Sequence, residues 1–243
     1  MTRWFDPAKG FFNPRPRVSV VRLATGEACV IVDDALLEPE RLVDWCVAQR
    51  LVPPAGYPYP GLVLDTPPDL TQRVSDFFAL HARGPLGARR TKATTTRMSI
   101  VTTPPAELEP RQWQCHRDGI SDDPSILFAA SVLYLFHDPA LGGTDFYRSR
   151  LTPRQTDLLV IDGQRLDAAA FTARYGLRAG YMDGSNAYFE HVGRLPAAWN
   201  RMVFYDGGIF HSAQVGRPEA PNADPRRGRL TLNSFFSCRR NAR

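Results

Sequence analysis

Hydrophobic and polar positions change rhythm along this chain, and the change divides it. The run Ala28-Cys-Val-Ile-Val-Asp-Asp is apolar and closed by two aspartates, which predicts a strand. Residues 38–48 place apolar side chains at helical spacing behind an early proline, Pro39, which predicts a helix. A second amphipathic helix is predicted over 69–81, burying Leu70, Val74, Phe77 and Phe78 on one stripe. Between them, Leu51-Val-Pro-Pro-Ala-Gly-Tyr-Pro-Tyr-Pro-Gly holds too much proline for either regular structure.

From Thr94 onward short runs bounded by glycine, proline or aspartate replace the helical period. They predict strands over 95–102, 112–118, 127–136, 144–148, 157–161, 201–205, 208–215 and 229–238. Between the fifth and sixth lies an insertion, about 163–200, with one helix over 168–175 stopped by Gly176. Eight strands so spaced predict a mainly β (α+β) fold, a double-stranded β-helix or jelly roll with supporting helices packed outside it. One domain is expected across 1–243, with an N-terminal strand and helices over about 18–90, a jelly-roll core over about 94–238 and the insertion outside that core.

Composition narrows the function classes. A hydrophobic fraction of 43% and a charged fraction of 23% are those of an ordinary globular chain. No run approaches the ~20 apolar residues of a membrane span, and the first ten residues lack an apolar leader core, so the cytoplasm is the expected location. Cys29, Cys46, Cys115 and Cys238 show no C-x-x-C spacing and read as reduced thiols, not as a zinc cage. Of 30 basic residues only Lys9 and Lys92 are lysines, and neither follows the glycine pattern of a phosphate-binding loop. Two lysines also leave few candidates for Schiff-base chemistry. The net charge of +5 owes much to Arg226-Arg227-Gly-Arg229 and to the tail Arg239-Arg240-Asn-Ala-Arg243. No aromatic-interleaved basic motif accompanies them, so a solvated basic face is expected ahead of a nucleic-acid surface.

The chemistry gathers at His116-Arg117-Asp118 and at His211, which is set in the apolar run from Arg201 to Ala213. Side chains repeat every two residues in an extended segment, so His116 and Asp118 share one side. With His211 from a distant strand they would form a two-histidine, one-carboxylate face, a set that holds Fe(II) with positions left open. Each residue has a bland alternative: a surface His–Asp pair in a loop, and a satisfied core histidine. His81, His137 and His191 have no partner at ligand spacing. Arg229 opens an alternating strand on which Arg229, Thr231 and Asn233 share one face and Leu230, Leu232 and Ser234 the other. A polar face inside a roll needs a partner, and a dicarboxylate gripped by the guanidinium fork would supply one. Arg226 and Arg227 sit in a turn and read as solvated. Tyr134 and Thr144 are candidate hydroxyl partners for the same carboxylate.

In this order, H-x-D, a later histidine and a basic residue opening the last strand resemble the Fe(II)/2-oxoglutarate-dependent oxygenases, and most closely their prolyl-4-hydroxylase-like branch. Val132-Leu-Tyr-Leu-Phe is similar to that branch's tyrosine-bearing strand, Gly142-Gly-Thr-Asp-Phe to its Gly-Gly turn, and Val30-Ile-Val-Asp-Asp-Ala-Leu to its entry. The resemblance spans most of 28–238. It departs in offering Arg229 where the branch often has lysine, and in the 163–200 insertion and the Tyr57-Pro-Tyr59-Pro-Gly segment. It implies His116, Asp118 and His211 as metal ligands, Arg229 as both catalytic and cosubstrate-binding, and Tyr134, Thr144 and Thr231 beside the cosubstrate. The implied cofactors are Fe(II), 2-oxoglutarate and dioxygen. Because Asp118 is present, the implied reaction is hydroxylation of an unactivated C–H bond, not halogenation. The substrate is expected to be an amino acid, a peptidyl residue or another small molecule; desaturation and ring closure stay open. Two alternatives stand beside it: a cupin-like metal-binding protein without turnover, and a nucleic-acid-acting member of the same fold. The Tyr57–Tyr59 loop reads equally as a lid or as a proline-stiffened surface loop, and Trp113 and Gln114 as substrate wall or core. Cys115 is expected to face away from His116.

Overall fold

The computed structural model describes residues 10–216 and 221–241. The first nine residues of the stretch read for a leader, and the last two of the basic tail, lie outside them. Seven strands form one antiparallel sheet: β1 (Arg17–Arg22), β2 (Ala28–Asp33), β3 (Gly61–Asp65), β4 (Ala88–Val101), β5 (Ile126–Tyr134), β8 (Met202–Asp206) and β10 (Leu230–Arg240), in the order β1-β2-β8-β5-β10-β4-β3. A smaller antiparallel sheet has the order β7-β6-β9, from β6 (Thr144–Ser149), β7 (Phe189–Leu195) and β9 (Phe210–Ala213). The sheets pack on each other through Ala130, Tyr134, Val203 and Tyr205 of the large one and Phe146, Val192 and Leu195 of the small one.

The outer face of the large sheet is covered by α1 (Pro39–Val47) and α2 (Pro68–His81). Leu70, Val74, Phe77 and Phe78 are the buried stripe of α2. Phe78 stacks on Phe236 of β10 with ring centroids 4.0 Å apart, which seats the helix directly behind that strand. Along β10 the alternation sends Leu230, Leu232, Phe236 and Cys238 into this helix-side core. Arg229, Thr231, Asn233 and Phe235 therefore turn to the inner face, toward the small sheet.

Three sequence expectations are corrected. The strand expected over 157–161 is a helix, α3 (Pro153–Arg165). Thr152-Pro-Arg-Gln is a capping box with proline in the first turn, both parts of the box being bonded, and this start signal overrides the short apolar run Leu158–Ile161. The strand expected over 112–118 is a short 3-10 turn at Pro110–Gln112 followed by extended chain, paired to β9 only through the bridge His116↔His211. The stretch 163–200 is not wholly outside the sheets: it carries α4 (Ala168–Tyr175), capped at each end by the Asp167 carboxylate and left-handed Gly176, but also β7, which pairs with β6 along its length. Beyond these, β4 starts seven residues before the expected strand, its polar stretch Arg89–Thr95 extended because it pairs with β10. β1 and β3 correspond to no predicted strand.

Helices α3 and α4 pad the segment leading to His116. Trp113 meets Phe171 of α4 edge-on and donates its indole N–H to Leu108 O, while Cys115 joins Leu159, Tyr147 and Phe210 in one cluster. Trp113 is thus core, and Cys115 faces away from His116. Among the described residues no helix is long and apolar enough to cross a membrane.

Candidate metal and carboxylate site

His116 and His211 each donate a backbone N–H to the other's carbonyl at 2.9 Å. Residues opposed in such a pair project on the same side, so the bridge alone brings the two imidazoles together. Their ring centroids are 4.6 Å apart. Asp118 follows two residues on and is held by its N–H on Gly207 O at 2.8 Å, while Gly207 N–H reaches Phe128 O on β5 at 2.7 Å. A side chain at Gly207 would press on Asp118, its Cβ falling 3.2 Å from the carboxylate, so the glycine clears the space. Arg117, between the two, turns the other way onto the Phe210 ring, 4.5 Å from its centroid.

One potential ligand atom from each of His116, Asp118 and His211 lies within 4.8 Å of the others, a spacing one metal ion can bridge. Asp118 Oδ2 is 3.2 Å from His211 Nε2, and Oδ1 is 3.6 Å from His116 Nε2. His211 Nδ1 faces Ile209 O at 2.8 Å; a carbonyl only accepts, so Nδ1 carries a proton and Nε2 is the nitrogen turned toward Asp118 and the shared centre. Burial disfavours the Asp118 anion, but the charge of His211 and hydrogen bonds from both imidazoles outweigh it and hold the carboxyl well below the ordinary range. Burial likewise works against a charged His211, and the Asp118 charge overcomes it, raising the imidazole above its usual value. The histidine side chains differ in exposure, 57% for His116 and 5% for His211. The three groups therefore line an open rim, and a cavity of about 240 Å³ adjoins Asp118, walled by Thr95, Phe128, Phe235 and Ser237.

Further along the same inner face lies a buried cation. Arg229 donates from Nη2 to Gly143 O at 2.7 Å and from Nε to Gly142 O at 3.3 Å, and has no acidic partner among the described residues. Its guanidinium carbon is 5.9 Å from the Tyr134 ring centroid. Tyr134 Oη and Thr144 Oγ1 are 2.7 Å apart beside it, and Thr231 Oγ1 makes a long contact of 3.4 Å to Ser99 O. Gly142 and Gly143 are required here: a Cβ on either would fall 2.1 Å from a backbone oxygen, of Gln214 or Leu195 respectively. Arg226 and Arg227 are exposed, and Arg226 pairs with Asp44 at 2.7 Å. In the tail, Arg239 pairs with Asp123 and Arg240 with Asp206.

The other histidines stand apart, His137 stacked on Trp199, His191 on Asp145 and His81 against Phe77. Two further residues face the site, Tyr59 from the loop read as lid or surface loop and Arg97, which sequence reasoning missed. Tyr59 is drawn under its loop toward Arg229, Arg97, Ser99 and Thr231; burial pushes its hydroxyl up to about 12 against the opposing charge of both arginines. Arg97 lies under Tyr57. Only the Tyr-Pro-Tyr-Pro composition hinted at the loop, and nothing singled Arg97 out among 30 basic residues.

DUF6445, a family of unknown function, matches residues 14–236. The chain belongs to DUF6445. No curated protein matches this DUF6445 chain. Among solved structures it is similar to a Pseudomonas putida prolyl-4-hydroxylase, 18% identical over 84% of this chain and 86% of that one, with a TM-score of 0.41. It is similar also to HygX from Streptomyces hygroscopicus, solved with nickel, 2-oxoglutarate and hygromycin B bound, at 10% identity over 87% and 82% with a TM-score of 0.44. A third is the non-heme α-ketoglutarate-dependent carbocyclase SnoK from nogalamycin biosynthesis, at 13% identity over 86% and 79% with a TM-score of 0.44.

Proposed function

We propose that this chain is an Fe(II)- and 2-oxoglutarate-dependent oxygenase hydroxylating an unactivated C–H bond of an amino acid, a peptidyl residue or another small molecule, on a jelly roll whose two halves are the two sheets. The observation that carries the reading is the pairing, on one inner face, of the His116–Asp118–His211 cluster with the acid-free, buried guanidinium of Arg229. A buried cation without a counter-ion is costly, and an anionic ligand at this position would offset that cost.

The residues fit the groups this reading requires. Two imidazoles and one carboxylate make a face that suits Fe(II) and leaves positions for cosubstrate and dioxygen. Bound Fe(II) and 2-oxoglutarate would supply oxidising power from dioxygen, the cosubstrate leaving as succinate and carbon dioxide. The protein's part is positional. Ile209 O fixes the His211 tautomer, Gly207 keeps Asp118 unobstructed, and Arg229 with the Tyr134 and Thr144 hydroxyls would receive the far carboxylate of the cosubstrate. Tyr59 would roof that end against water.

The test incubates the purified chain with Fe(II), ascorbate, 2-oxoglutarate and a cell extract, reading succinate and mass shifts of one oxygen. Succinate release that requires Fe(II) supports the proposal. Stoichiometric metal uptake with no succinate formed would instead leave a metal-binding protein without turnover.

A further inference from the structure

The inner face holds a second cation that the cosubstrate does not need. Arg97 lies on β4 opposite Asn233 of β10, which is itself opposite Val132 of β5. Asn233 is four residues beyond Arg229, so the Arg97–Asn233 row lies about 14 Å along the chain from the Arg229 position, at ~3.4 Å per residue. Phe235 and Thr95, the next opposed pair on this face, wall the cavity beside Asp118. Arg97 thus lies in the row between Arg229 and the cavity.

Its surroundings are arranged for a ligand. The guanidinium carbon stands 4.0 Å from the Tyr57 ring centroid and 4.7 Å from that of Phe235. Aromatic faces hold a guanidinium by cation–π attraction and leave its in-plane N–H edge free. That edge has no acceptor: Arg97 makes no ion pair or side-chain hydrogen bond among the described residues, and its Nε is buried without a partner. Asp65, opposite it on β3, is exposed and does not pair with it. Buried donors are seldom left open in a folded protein unless something else fills them.

We propose that Arg97, under the Tyr57 ring, is the binding site for a carboxylate carried by the substrate, so that the enzyme acts on anionic small molecules. This rests on the oxygenase reading for the word substrate, while the carboxylate site stands on its own geometry. Arg97 is a specificity-determining residue here. Arg229 and the Tyr134–Thr144 hydroxyls are left to the cosubstrate, and Tyr57 ties the loop to the bound anion.

The full chain is titrated by ligand-observed NMR with benzoate, N-acetylglycine and hexanoate, each against its primary amide, before and after loading with Zn(II) and 2-oxoglutarate. Zn(II) keeps the sample diamagnetic and without turnover. At least one acid is expected to bind in preference to its amide. Arg97→Gln should weaken that acid about tenfold or more, as expected for losing one charge-assisted contact. Arg97→Lys should recover part of it, while 2-oxoglutarate uptake, read by calorimetry, stays near wild type in both variants. Thermal melting checks that each variant is folded. The proposal is overturned if no acid is preferred to its amide, if Arg97→Lys and Arg97→Gln both bind the acids like wild type, or if either loses 2-oxoglutarate as Arg229→Ala does. Should wild type take up neither metal nor 2-oxoglutarate while the acids still require Arg97, the oxygenase reading falls and the carboxylate site stands. Normal uptake of both without an Arg97-dependent acid gives the converse.

Discussion

His211 meets His116 across a single antiparallel bridge and Asp118 through its Nε2, so one residue of β9 joins two points of a segment nearly a hundred positions earlier. That bridge makes the cluster depend on β9 staying in register with β6, where Phe146 opposes His211. Shifting the register by one residue would turn the imidazole to the other face.

The first expectation concerns metal. Wild type should bind one Fe(II) per chain under anaerobic conditions, and His211→Ala should abolish stoichiometric binding, since an open two-ligand remnant is a poor site. Equilibrium dialysis with metal analysis reads the ratio; unchanged uptake by His211→Ala would place the metal elsewhere.

A pH effect is expected from α2. His81 is half-buried with its Nε2 unpartnered, and desolvation lowers its pKa below the ordinary value near 6.5. As pH falls through about 6.5, the unfolded chain takes up this proton before the folded one does, so stability drops until the depressed folded pKa is passed. Urea midpoints at about pH 7.5 and about pH 5.5 should therefore diverge more in wild type than in His81→Leu. Equal divergence would mean that His81 contributes nothing to the acid sensitivity.

Asp145 is a stability element beside the site. It is fully buried on β6 and bound two-pronged by Arg194 of β7 at 2.6 and 2.9 Å, with His191 at 3.2 Å. Asp145→Ala should cost about 3 kcal/mol, the lower end for a broken buried pair because Arg194 is 40% exposed. At roughly 2–4 °C per kcal/mol for a chain of this size, the melting temperature should fall by on the order of 6–12 °C. A scanning calorimetry shift within about 2 °C would show that the pair contributes little.

Much of this was readable from the residues because local signals and tertiary packing agreed. The helix stripe of Leu70, Val74, Phe77 and Phe78 and the two faces of β10 follow from periodicity alone. His116 and Asp118 share a side because two residues of extended chain suffice, with or without a full strand. Periodicity failed where a start signal outweighed it, as at Thr152–Gln155, and where pairing alone made polar sequence extended, as over Arg89–Thr95. Arg97 was illegible, and the Tyr57–Tyr59 loop stayed undecided between lid and surface, for a related reason: their partnership with the inner face arises from the placement of a proline-rich loop over β4, which no local rule specifies.

The sharpest expectation separates two arginines two residues apart. Arg229 is buried at the start of β10, its guanidinium positioned by Gly142 O and Gly143 O. Arg227 is exposed in the preceding turn, where its backbone N–H closes onto Asp224 O. Losing one partner of a desolvated charge pair costs ~2–5 kcal/mol, so Arg229→Ala should weaken 2-oxoglutarate by tens- to thousands-fold. Lysine should substitute poorly, since a point charge cannot reproduce the fork while also holding both glycine carbonyls. An exposed contact is worth under ~1 kcal/mol, so Arg227→Ala should change little. Anaerobic titration of 2-oxoglutarate into the Fe(II) protein, followed through the metal-to-ligand charge-transfer band, gives both affinities in one assay. If the two alanine variants weaken binding equally, or Arg227→Ala alone does, the cosubstrate is not anchored at Arg229. A loss confined to Arg229→Ala with metal binding intact would place the carboxylate end of 2-oxoglutarate at this guanidinium, beside the Tyr134 and Thr144 hydroxyls.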